Sequence, residues 1–349
     1  MVKQQELTHV EDALLSVSIV ATRRSIEITT GDSFSTAALS NIDSDDGDYS
    51  GNEEDEWDLL RVSKKKEQQR FPKTSPKERN KLERLAKEHP AATSAEIRRF
   101  LIDHKTVASA SKQLTTYREW RKRNEKAIHS VQSAGNDNSN AGSTGSYGSV
   151  SDDSAVWDRC CMATAELVSS KKVKLPRIIR VVGSDERNEK EQDIDGNGII
   201  LLLPAMLDTK LASISTYALA TTLYIDAILD RTSMDKMALV VDVRPGLGWA
   251  NPSPQKVFPY LAKISQVGAN MFPERLSRAV AAPVPGMAAG LWNMARPLLD
   301  KKHAARVCLI SGAATGRSPL PHKQMEKYFA GSVVESMEKS RRKSFVAKS

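Results

Sequence analysis

Cysteine is scarce in this chain of 349 residues. Cys160, Cys161 and Cys308 are its three cysteines. They form neither a CxxC pair nor a ligand cluster, which argues against a disulfide framework and a structural zinc site and fits a reducing compartment. Aromatics are also sparse, at 5%, and few of them stand among the basic runs to stack bases, so nucleic-acid binding is not expected. No apolar run reaches the roughly 18 residues that a membrane-spanning helix needs. Met1 to Glu6 lack an apolar core, so no secretory signal is expected. There is no Gly-x-Ser-x-Gly elbow, no HExxH and no histidine pair at metal-ligand spacing. The sequence therefore reads as a non-enzyme, without catalytic residues, metal or cofactor. What is present in excess is positive charge, a net +8, which points to an anionic partner such as a lipid surface or an acidic protein.

The charge is unevenly laid out. Between Asp43 and Asp58 there are nine Asp or Glu and no Lys or Arg. From Arg61 to Arg84 there are ten Lys or Arg against three Glu. Residues 1–74 hold too little apolar area to offset their ordering entropy and read as a disordered acidic-then-basic region. Such opposite runs either remain solvated, fold back on each other or screen the basic run from membranes.

Helical punctuation begins at Ser75-Pro76-Lys77-Glu78, with a cap, a Pro at the first helical position and a Glu at the third. Thr93-Ser94-Ala95-Glu96 is a second capping box, ahead of Ile97, Phe100 and Leu101. Val107, Ala110, Leu114, Tyr117 and Trp120 recur at spacings of three or four. Residues 75–129 thus predict a small helical lobe, too poor in core to stand alone. Residues 130–155, rich in Ser, Gly and Asn, read as a flexible linker that leaves the lobes loosely docked.

From 156 to 332 strands alternate with helices. A helix carries Val156, Trp157, Met162, Ala165 and Leu167. Apolar runs at Ile199–Leu203, Met237–Val243, Leu276–Ala282 and Val307–Ile310 read as buried strands. Ile214–Leu229 and a helix capped by Ser253-Pro254 lie between them. This alternation predicts an α/β sheet with crossover connections. A further helix at Met287, Leu291, Trp292, Met294, Leu298 and Leu299 is too apolar for an exposed one. It is either a core helix or one that closes a cavity and touches a membrane, with Trp292 suited to the interface. Residues 333–349 read as a basic tail.

Two local patterns carry less than they suggest. Asp193-Ile194-Asp195-Gly196-Asn197-Gly198 imitates the first half of a calcium loop, but Leu201 and Pro204 stand at its ninth and twelfth positions. It reads as a turn into a strand. Gly312-Ala313-Ala314-Thr315-Gly316-Arg317-Ser318 is one residue short of a phosphate loop and reads as a surface turn.

Taken in order, several segments resemble the CRAL-TRIO lipid-binding family. They are Asp195-Gly196-Asn197-Gly198, Leu239-Val240-Val241-Asp242-Val243 with Gly246, Phe272-Pro273-Glu274-Arg275-Leu276, Trp292 with Arg296-Pro297-Leu298-Leu299-Asp300, and Met325 to Gly331. Arg99-Phe100-Leu101 and Tyr117 to Arg121 resemble that family's N-terminal lobe. The resemblance implies an α/β lobe with a floor sheet (Met237, Leu239, Val241), an apolar pocket and a gate helix (Met287, Leu291, Trp292, Met294, Leu298, Leu299). By resemblance to phosphatidylinositol-binding members, Glu274, Arg275 and Arg306 would serve a lipid headgroup. The alternative is that Glu274 and Arg275 brace a loop. Met237 and Leu239 stand where choline-lipid binders place hydroxyls.

The expected function is to bind a phospholipid, phosphatidylinositol first, and to transfer or present it at an anionic membrane surface. The expected protein is a cytoplasmic, peripherally membrane-associated monomer. The alternative is a non-transferring adaptor with a degenerate lipid domain that recruits protein partners.

Overall fold

Side-chain caps fix three of the first helices. Ser75 accepts from the Glu78 backbone at the start of α1 (Pro76–Glu88). Thr93 and Glu96 form a reciprocal capping box on α2 (Ser94–Asp103), and Thr106 caps α3 (Val107–Arg123). Each such cap contributes about 1 kcal/mol. The computed structural model describes residues 74–104, 106–133, 153–168, 174–184, 189–246, 254–285 and 305–346. The proposed gate-helix residues Met287, Leu291, Trp292, Met294, Leu298 and Leu299, and the charged region 1–73, lie outside these.

The three helices bury Leu82, Leu85, Ile97, Phe100, Leu114 and Tyr117 in a small core of their own. A fourth helix, α4 (Glu125–Ser133), crosses the expected linker boundary. Its Ile128 and Val131 belong to the main core instead. α5 (Asp153–Leu167) follows; its buried Trp157 meets Tyr224 edge-on, with ring centroids 6.0 Å apart.

The main sheet has the order β1-β4-β5-β6-β7. β1 (Ile179–Val181) runs antiparallel to β4 (Gly198–Leu202). β5 (Met237–Asp242), β6 (Leu276–Val284) and β7 (Val307–Ser311) continue parallel. β2 (Gly183–Ser184) and β3 (Glu189–Lys190) form a separate two-stranded ribbon. The four apolar runs read from the sequence are thus β4 to β7, and β1 was not anticipated.

α6 (Ile214–Ile228) joins β4 to β5, and α7 (Pro254–Met271) joins β5 to β6. Right-handed crossovers stepping in one direction along a sheet place their helices on one face. A hydrogen bond between Thr221 Oγ1 and Tyr260 Oη (2.8 Å) ties α6 to α7.

The opposite face is covered by α8 (His322–Met325) and α9 (Gly331–Val346). This corrects the reading of 333–349 as a tail: Val334 and Met337 are buried in the core, and Arg341 is buried and paired with Asp242 at 3.1 Å. Lys339, Arg341, Arg342 and Lys343 are spaced along one helix, whose apolar side is interleaved with them.

Docking of the two lobes is also tighter than the Ser/Gly-rich linker suggested. Buried Glu96 takes a hydrogen bond from Arg231 Nε (2.8 Å) and another from Tyr117 Oη (3.0 Å). Arg121 pairs with buried Asp226. Arg99 donates to the Ser233 carbonyl (2.5 Å), and Gln113 to the Asn270 carbonyl (2.9 Å). Burial raises the Asp226 carboxyl above its ordinary range despite Arg121. Linker composition says nothing of these contacts, which are made by helices on either side of it.

Candidate functional site

In a parallel sheet, residues paired across strands point the same way. The register Leu201↔Val240↔Val280↔Cys308 defines the face under α9. On it Leu201, Val240 and Val280 are fully buried. The register Leu239↔Ala279↔Val307, with Val241↔Ala281↔Leu309, defines the other face. There Leu239, Ala279, Val307, Ala281 and Leu309 are only half-buried, as is Met237, while Val241 is buried. Ala279 and Ala281 are small beside their neighbours Leu239, Val241, Val307 and Leu309 in the register. The three residues expected to make a pocket floor, Met237, Leu239 and Val241, therefore share this face.

β5 and β6 start level, Met237 beside Leu276, and β7 starts three residues further along, Val307 beside Ala279. Among the described residues, three charged side chains meet near these amino ends. Lys236 precedes β5, Glu274 lies two residues before β6, and Arg306 precedes β7. Arg306 Nη2 donates to both carboxylate oxygens of Glu274, at 3.0 and 3.1 Å. Lys236 Nζ lies 3.5 Å from Glu274 Oε2. Glu274 has a φ of 58°, a left-handed backbone that costs a non-glycine residue about 1–2 kcal/mol. The turn that requires it also delivers the carboxylate to Arg306. Lys236 was not anticipated; its only signal in the sequence is its position directly before a strand.

Arg275 does not share this cluster, which corrects its grouping with Glu274 and Arg306. It is 3% exposed, and its guanidinium donates to the carbonyls of Asp230 and Asp235 (2.6 Å for Asp235) and to Ser233 Oγ (3.3 Å). The left-handed turn at Glu274 sends the two neighbouring side chains apart, one to the strand ends and the other to the 230–235 loop. Arg275→Ala is expected to lose about 1–3 kcal/mol of stability in urea unfolding, because the 230–235 loop carbonyls lose charge-assisted bonds.

In the calcium-like turn the carboxylates are taken up by the chain's own donors. Asp193 Oδ1 accepts from the backbone of Asp195 (3.0 Å) and Asn197 (2.8 Å), and Gly196 sits at φ 80°. Arg278 pairs with both Asp193 and Asp195 and lies over the Tyr328 ring, 5.2 Å from its centroid. The 312–318 segment is a turn closed by Thr315 and Ser318 (3.2 Å, backbone to hydroxyl). Burial pushes the Cys161 thiol up to about 12 and the Cys160 thiol further in the same direction, so both remain protonated thiols.

A half-exposed apolar sheet face with a charged cluster at the strand ends, backed by a C-terminal helix, is the geometry that comparison must explain. The family model for the CRAL/TRIO domain matches residues 190–335. This part of the chain is similar to a CRAL/TRIO domain. The match begins at β3 and ends inside α9, so the helical lobe, α5 and β1 lie outside it. CRAL/TRIO domains are a lipid-binding family, and the mixed α/β architecture with its five-stranded sheet agrees with that fold. A solved structure titled "Crystal structure of Sfh5" is 15% identical, with a TM-score of 0.28, over 39% of this chain and 48% of that one. This chain thus spans about half the length of that structure. No curated protein matches the chain. No described helix is long and apolar enough to cross a membrane.

Proposed function

We propose that this protein binds a phospholipid on the half-exposed face of its sheet and carries or presents it at membranes. The observation that supports the reading is the contrast between the two faces. Val240 and Val280 are fully buried under α9, while Leu239, Ala279, Ala281, Val307 and Leu309 on the reverse are not. A central β-strand pair with a half-exposed apolar side is suited to acyl chains, each buried methylene of which contributes about 0.8 kcal/mol.

The headgroup belongs at the strand ends. Arg306 spends one nitrogen on Glu274, and a guanidinium has five N–H donors. Among the described residues, Lys236 and Arg306 against Glu274 leave one positive charge in excess, enough for one phosphodiester, which a guanidinium can hold with two bonds. Glu274 can accept from inositol hydroxyls, which supports phosphatidylinositol over a choline lipid. No bond is made or broken in such a cycle. The protein would work as a cytoplasmic monomer, visiting anionic membranes peripherally.

Vesicle-to-vesicle transfer of labelled phosphatidylinositol tests this. Transfer above background is expected for the wild type. Arg306→Ala should transfer at least five-fold less while unfolding within about 1 kcal/mol of the wild type, because its guanidinium is partly exposed. Equal transfer by Arg306→Ala would remove the headgroup from this cluster.

A further inference from the structure

A second concave site lies in the helical lobe, far along the chain from the sheet face. It is a cleft of about 290 Å³ between the start of α1 and the end of α2. That is below the usual range for a small-molecule pocket, about 300–1,000 Å³, and too small for a two-chain lipid. Lys77, Lys81 and Arg98 line it, with Glu78 the one acidic lining residue. Among the described residues, none pairs with Lys77, Lys81 or Arg98 as a salt bridge. Leu101 and Ile102 also line it, and Ile102 is 49% exposed, unusual for a large apolar side chain in a small lobe with its own core. The amino end of α1 adds its positive dipole.

The sequence holds a segment with the complementary chemistry. Glu53-Glu54-Asp55-Glu56-Trp57-Asp58-Leu59-Leu60 offers five carboxylates around Trp57, followed by two leucines. Fourteen residues, 61–74, separate Leu60 from Ser75, which itself lines the cleft. Fully extended, a link of this length spans roughly 50 Å, so reach is no obstacle. A tether this short holds its end at an effective concentration of about millimolar, so even weak intrinsic affinity fills the site.

We propose that this acidic segment docks in the basic cleft of the helical lobe, with its carboxylates on Lys77, Lys81 and Arg98 and Trp57 or Leu59 against Leu101 and Ile102. Docked, it withholds those cations from an anionic leaflet, and an acidic surface must displace it. The inference does not depend on the lipid site, because cleft and sheet face share no residue.

The test uses the full chain and a fluorescein-labelled peptide of sequence Asn52 to Leu60 added in trans. In the wild type the chain's own segment competes. A variant with Glu54→Gln, Asp55→Asn, Glu56→Gln and Asp58→Asn removes the competitor. The peptide should bind that variant at least ten-fold more tightly than the wild type. Adding Lys77→Glu and Lys81→Glu, both at exposed positions, should abolish the binding. Equal affinity for wild type and neutralised variant, no binding to the neutralised variant, or indifference to the Lys77 and Lys81 changes would each overturn the proposal. Vesicles of 30% phosphatidylserine are run in parallel. If they bind through Lys77 and Lys81 equally well in wild type and neutralised variant, the cleft is a membrane contact and the segment is not its occupant.

Discussion

Arg244→Ala is expected to cost about 3–5 kcal/mol of folding stability, the usual result of breaking a buried charge network on one side. Arg244 is 1% exposed and joins three parts of the chain. It holds Asp242 at the end of β5 through Nε (2.9 Å) and Nη2 (2.7 Å). Through Nη1 it reaches Glu338 on α9 (2.8 Å) and the Ser318 carbonyl (2.5 Å). Without it, buried Asp242 keeps Arg341 and the backbone N–H at position 244, and α9 loses the Glu338 tie to the end of β5.

The loss should also depend on pH. Burial works to raise the Glu338 carboxyl, but the bonds from Arg244 and the Leu320 amide outweigh it and hold it below its ordinary value. A carboxyl lowered by folding adds stability that is full above its unfolded value, about 4.3, and lost as pH falls through the folded one. The gap between wild type and Arg244→Ala in urea unfolding should therefore be widest near pH 7 and narrow below about pH 4. A gap that stays constant from pH 7 to pH 3 would show that Glu338 draws nothing from Arg244.

The second large effect concerns the sheet face. Ala281→Trp combined with Ala279→Trp should abolish lipid loading, at least ten-fold by mass spectrometry of the purified protein, with little change in stability. If the face borders a cavity, two indoles fill it and keep their apolar contacts. If it is packed solid, overpacking at each position costs typically about 1–3 kcal/mol, and the double variant would unfold early. The outcome thus distinguishes a hollow from a core, which neither single-strand periodicity nor composition can do.

How far the sequence went can be judged at individual residues. The cap at Ser75 and the capping box at Thr93 located two helix starts because such caps act within four residues. The apolar runs of β4 to β7 were legible because strands covered from both sides lose their polar alternation. β1 was missed because Arg180 interrupts Ile178, Ile179, Val181 and Val182; its guanidinium is buried by reaching the Ser340 carbonyl on α9 (3.1 Å), a partner far along the chain. The same remoteness hid the role of Arg275, whose acceptors are carbonyls in the 230–235 loop. It hid the docking of α9 as well, because a helix with Arg341, Arg342 and Lys343 reads as solvated until Asp242 is placed beneath it. Glu274 and Arg306 were named together only through resemblance; the parallel pairing of β6 with β7 and the left-handed turn at Glu274 bring the carboxylate to Arg306.

Native mass spectrometry of the full chain, purified without detergent, tests the central claim most directly. A species heavier than the apo chain by one phospholipid is expected, released at raised collision energy and absent from the Ala279→Trp, Ala281→Trp protein. A chain that carries no lipid, and takes up none after incubation with phosphatidylinositol vesicles, would contradict it.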